Sequence, residues 1–126
     1  MSTKINENMT LWDEPDSVYL TELDNFALQL FAKFPHAKIA PCAYSGGVPG
    51  MGADLGAGDY AIAKEWLTNL FGVPKVVERW HPAHTEGVPI LRFHKTAEME
   101  HNKMSHVTLI PMMQRTDKKF TTISWM

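Results

Sequence analysis

A broad apolar stripe near the start of the chain does most to limit its possible folds. Leu20, Leu23, Phe26, Ala27, Leu30, Phe31 and Phe34 recur at helical spacing, which lines one face of a helix with apolar side chains. Asp16 or Ser17 can cap that helix. Pro35 ends it, so the expected span is Ser17 to Phe34. The apolar run Lys38 to Tyr44 then reads as a buried strand, although Pro41 interrupts it. A second stripe, Ile62, Ala63, Trp66, Leu67, Leu70 and Phe71, predicts another helix. Asp54 or Asp59 serves as its cap, and Gly72 with Pro74 stops it.

Around these helices lie shorter runs. Met9 to Trp12 reads as an edge strand, Lys75 to Trp80 and His106 to Met112 as strands, and Val88 to His94 as strand or extended loop. Thr96 to Met104 suggests a short helix, and Thr121 to Trp125 a last, exposed strand. Met1 to Asn8 is polar and expected to fray. Strands alternating with helices predict an α/β fold, specifically a small Rossmann-like three-layer domain with a mainly parallel sheet. In such sheets ligands sit outside the carboxyl ends of strands.

The chain of 126 residues has the size of one core, so residues 1–126 are read as a single domain. Its net charge is −2 and it carries no run of Lys or Arg, which argues against a nucleic-acid partner. Arg92, Lys95 and Lys103 fall close enough in sequence to hold one phosphate. The single cysteine, Cys42, cannot form an internal disulfide and fits a reducing compartment. No run is long or apolar enough to span a bilayer, and Met1 to Met9 lacks the apolar core of a signal peptide. The expected setting is cytoplasmic, without a membrane partner. An exposed last strand bearing Ile123, Trp125 and Met126 suggests a homo-oligomer, most simply a homodimer.

Function is expected first at Tyr44-Ser45-Gly46-Gly47-Val48-Pro49-Gly50-Met51-Gly52-Ala53-Asp54, between the second strand and the second helix. Glycines there let a backbone approach a ligand that a Cβ would push away. A helix start aims N–H groups at an anion. Ser45, Gly46, Gly47, Gly50, Gly52 and Asp54 are the candidate ligand-binding residues of this stretch. Trp80 joins them from a strand end, and Arg92, His101 and Asn102 from later segments.

The glycine stretch, the helix carrying Ala63-Lys64-Glu65-Trp66, and Phe71-Gly72-Val73-Pro74 before a strand together resemble the SLOG superfamily. His101-Asn102-Lys103-Met104 stands where its YspA-like branch has an Arg-Asn pair followed by a Met. Gly50-Met51-Gly52 is similar to a spelling in the LOG phosphoribohydrolase branch. The resemblance spans about Ala40 to Met112 and implies a Rossmann-like fold that binds nucleotides. The Pro-Gly-Gly-x-Gly-Thr catalytic signature of the LOG branch is absent.

The expected function is therefore binding or sensing of a nucleotide or nucleotide-derived phosphate ligand by a glycine-rich strand-loop-helix. Two alternatives stay open. One is a small enzyme cleaving a glycosidic or phosphoester bond of a nucleotide or nucleoside, with Glu65 or Glu78 as acid or base. The other is a non-catalytic inhibitor or interaction protein. No cofactor is implied. His81 and His84, with Glu86 or Glu98, lack a recognised metal spacing, so no metal is expected. His106-Val107-Thr108 spells the His-x-Thr strand of two-histidine phosphoesterases, with His94-Lys95-Thr96 as the only other match.

Overall fold

The computed structural model describes residues 2–6, 9–12, 18–43, 49–77, 88–95, 106–113 and 118–126. Ten elements follow one another: β1 (Ser2–Asn6), β2 (Met9–Trp12), α1 (Val18–Lys33), β3 (Lys38–Ala43), β4 (Pro49–Gly56), α2 (Asp59–Phe71), β5 (Lys75–Val77), β6 (Ile90–His94), β7 (His106–Met113) and β8 (Lys119–Trp125). The strands form one sheet in the order β1-β2-β3-β4-β8-β7-β6-β5.

The parallel three-layer expectation is wrong. Only β2 and β3 pair parallel, and every other neighbouring pair in the sheet is antiparallel. β3 and β5, which a parallel sheet would run in the same direction, lie five places apart in the sheet and run in opposite directions. The local cause is β4. Its burial alternates, with Met51, Ala53 and Leu55 buried and Asp54 and Gly56 exposed. That is the period of a strand. The glycine stretch thus enters a hairpin partner of β3 and not a helix. α2 then carries the chain to the far edge, and β5 to β8 return as a meander that closes against β4.

Both helices cover one face of the sheet. Phe26 of α1 contacts Trp66 and Phe71 of α2 at ring separations of 5.8 and 6.0 Å, and Trp125 of β8 at 5.0 Å. Leu23, Phe26, Ala27, Leu30, Ala63 and Leu67 join Met51, Ile123, Val107, Leu109 and Phe93 in a single core. Trp66, expected to be buried, is only partly so. The result is two layers, with a second sheet face turned away from the helices. We call it the open face.

Two prolines sit inside strands because the ladder on their outer side has already ended. β2 matches β3 only at Met9–Ile39, and Pro41 follows. β6 matches β7 as far as Leu91–Leu109, and Pro111 lies beyond. Neither has to donate to a neighbour there.

β8 is central, and Trp125 and Ile123 are fully buried. The exposed-strand argument for a homodimer therefore loses its basis. The expected frayed N-terminus is also corrected in part, since Ser2–Asn6 pairs with β2. The expected Thr96–Met104 helix lies outside the described residues.

Candidate functional site

The site is built where β4 hands over to α2. Lys38 opens β3, opposite Asp54, and Asp54 lies opposite Thr122 of β8. One step along, Gly56 faces Phe120. These side-chain positions belong to the open face, since Leu55 and Thr121 between them are buried. The α1–β3 turn brings His36 to the same corner. Its Nε2 lies 2.6 Å from Asp59 Oδ2, and the Gly56 N–H donates to that oxygen at 2.8 Å. Asp59, the first residue of α2, thereby ties the turn, the strand end and the helix together. Gly58 precedes it without any side-chain cap.

Between these elements lies a cavity of 330 Å³, lined among others by His36, Lys38, Gly56, Lys118, Lys119 and Phe120. Among the described residues, none of the three lysine side chains has an ion pair or hydrogen bond. Of the two carboxylates nearby, Asp54 accepts from the Thr122 hydroxyl at 3.0 Å, and Asp59 is taken up as above. Among the described residues the corner is therefore net positive, with the half-buried ring of Phe120 beside it. A second cavity of 560 Å³ shares Lys38 and Asp54 and extends over Ala40, Cys42 and Gly52 toward Thr10.

Two tyrosines hold the surrounding chain. Tyr19 donates to the Pro49 carbonyl at 2.6 Å, which fixes the start of β4. Its pKa is raised, chiefly by burial and then by Cys42. Tyr60 donates to the Pro89 carbonyl and anchors α2 to the approach of β6. Burial pushes its pKa up to about 12.

The residues expected at a single site are dispersed. Gly50 and Gly52 lie within β4, and Asp54 pairs as described. Arg92 is on β6, in the same cross-strand row as Gly52 but separated from it by Ser124 and Thr108. Three strand spacings amount to roughly 14 Å, so Gly52 and Arg92 do not share one phosphate. Glu65 is exposed on α2, in the helical layer and away from the open face. Ser45, Gly46, Gly47, Glu78, Trp80, His101 and Asn102 lie outside the described residues, as do His81, His84, Glu86 and Glu98. Among the described residues no group of three or more metal-ligating side chains converges.

Sequence reasoning passed over Lys38, Lys118, Lys119 and Phe120. The signal was there in Lys118-Lys119-Phe120, two cations and an aromatic at the start of β8. Only the sheet order brings them to Lys38. No family model, curated protein or solved structure matches the chain. The Rossmann-like fold implied by the SLOG resemblance is not the fold observed.

Proposed function

We propose that the chain binds a nucleotide-type, phosphate-bearing small molecule at the β4–α2 corner. Its anionic group lies among Lys38, Lys118 and Lys119, and its ring against Phe120. The observation that carries this reading is the set of three uncommitted ammonium groups around a cavity that also offers an aromatic wall. A cavity of 330 Å³ falls at the lower end of the range of small-ligand sites. Gly56 adds no Cβ to the wall. The strand-turn-helix geometry first expected at Gly46 to Gly52 has its counterpart here, at Gly56-Ala57-Gly58. Asp59 already occupies the Gly56 amide, so lysine charge and not the helix dipole supplies the attraction.

Calorimetric titration with a panel of mononucleotides tests the proposal, with product chromatography run on the same mixtures to detect turnover. Binding that weakens about tenfold in Lys119→Ala and in Lys38→Ala is the expected result, equal to roughly 1.4 kcal/mol. Parent-like affinity in both variants, or no binding by any nucleotide, removes it.

A further inference from the structure

The open face carries a second group of basic side chains, on β5, β6 and β7, that the corner pocket does not use. Lys75 is the register partner of Arg92, and His94 of His106. Arg92 and His94 are two residues apart on one strand, so the four side chains leave the sheet on the same side. Leu91 and Phe93 flank Arg92 and belong to the helix-covered core, which places the four on the open face. The rings of His94 and His106 lie 6.2 Å apart.

Like-signed groups directly opposite each other weaken a strand pair. Lys75 and Arg92 make one such pair, and His94 and His106 become a second when both rings are protonated. The strain shows in His106, whose pKa is lowered by burial, then by Arg92, then by His94. It shows again in Arg92, whose buried Nε has no hydrogen-bond partner among the described residues. A donor withdrawn from water without an acceptor lowers stability. Among the described residues, the cross-strand neighbours offer no negative charge. Across from Arg92 on the other side is Thr108, buried, and then Ser124. Across from His106 is Met126, which pairs with it through the backbone. Features that cost stability and follow no local rule mark functional places.

We propose that Lys75, Arg92, His94 and His106, with the Thr108 hydroxyl, form a binding centre for a tetrahedral oxyanion of the phosphate type. A planar carboxylate is satisfied by one guanidinium fork. A tetrahedral dianion presents more acceptors than one fork can use and draws on donors from three strands at once. The centre is independent of the nucleotide reading, because β6 lies three strands away from β4. Free phosphate and the phosphoryl group of a larger molecule share this chemistry.

The test is an NMR titration of the His106 ring in millimolar inorganic phosphate, at ionic strength held constant with sodium chloride. Phosphate is expected to raise the His106 pKa by roughly half a unit or more, because an adjacent anion favours the charged ring. Arg92→Gln should abolish that shift, and Lys75→Gln, at an exposed position, should reduce it. Both variants should be at least as stable as the parent in low salt without phosphate. Lys119→Ala should leave the His106 response intact, which separates this centre from the corner pocket. A parallel titration with phenyl phosphate assigns the source: tighter binding than phosphate points to a phosphoryl group on a larger molecule, equal binding to the free ion. A His106 pKa indifferent to phosphate, or a full response in Arg92→Gln, overturns the proposal.

Discussion

The indole Nε1 of Trp125 donates to the backbone carbonyl of Leu23 at 3.0 Å, across 102 residues of chain. Both residues are fully buried. A helix carbonyl that accepts a third-party donor fixes where α1 sits above β8, and the contact with Phe26 at 5.0 Å fixes how closely. Trp125→Phe keeps most of the ring volume and removes the donor. It should cost about 1–2 kcal/mol, since the hydrogen bond and some packing are lost together. Phe26→Ala, at the meeting point of three aromatic partners, should cost roughly 3–5 kcal/mol through lost transfer energy and a cavity. Urea unfolding measures both, and the reverse ranking would mean that α1 is not the pillar of this core.

Stability should fall on acidification through His106. Its pKa in the folded protein lies below the ordinary value of 6.5, so the unfolded chain binds the proton more readily. Above about pH 7 the ring is neutral in both states and nothing is lost. As pH falls through the ordinary value toward the lowered one, stability drops. Arg92 and His94 are the charged neighbours responsible, after burial. Arg92→Gln should flatten the dependence between about pH 7 and pH 5. Unfolding curves at several pH values for parent and variant decide it, and an identical slope would show that Arg92 does not act on His106.

Glycines in this chain should respond to substitution in opposite directions. A Cβ on Gly52 meets only the Ile123 carbonyl at 3.9 Å, an ordinary contact. Gly52→Ala should be neutral or stabilise by about 0.4–1 kcal/mol, through a less flexible unfolded chain. Gly72 has φ of 92° and caps α2 through a bond to Thr68. Gly72→Ala should cost about 1–2 kcal/mol. Thermal melts of the two variants should move apart.

The Asp59 knot should matter more for shape than for charge. His36 is 57% exposed in its side chain, so its contact with Asp59, an ion pair only when the ring is protonated, is worth about 0–1 kcal/mol. Asp59→Ala also frees the Gly56 amide, for a total of about 1–2 kcal/mol. Denaturation in low and high salt should give similar losses. A loss that vanishes in high salt would assign the whole effect to the ion pair.

Periodicity alone was enough to find most elements. The stripe ending at Phe34 became α1, the one ending at Phe71 became α2, and Lys38, His106 and Lys119 begin strands close to where alternation placed them. Partners were a different matter. Nothing local in Thr121 to Trp125 distinguishes an edge strand from a central one, because alternation reports which face is buried and not which strand lies alongside. The sequence around Trp125 therefore suggests an exposed strand where the fold has a central one. β4 was lost to its glycines, which carry turn and ligand connotations strong enough to mask the alternation of Met51, Ala53 and Leu55. The corner pocket was unreadable for the same cause, since Lys38 and Lys119 become neighbours only through β4 and β8. The SLOG resemblance rested on spellings that β4 and the α2 turn reuse in a different topology.

The β4–β8 ladder is the one seam between two half-sheets, the first made by β1 to β4 and the second by β5 to β8. Trp125 meets Met51 there, far apart in the chain. On the ribosome, β4 is finished long before its partner exists, and until then it presents a raw strand edge beside a core that lacks its largest side chain. The first half alone leaves that edge unpaired and that part of the core unfilled. Its first half waits for the second, and factors that shield nascent strands should shape its yield in cells more than the depth of its native well.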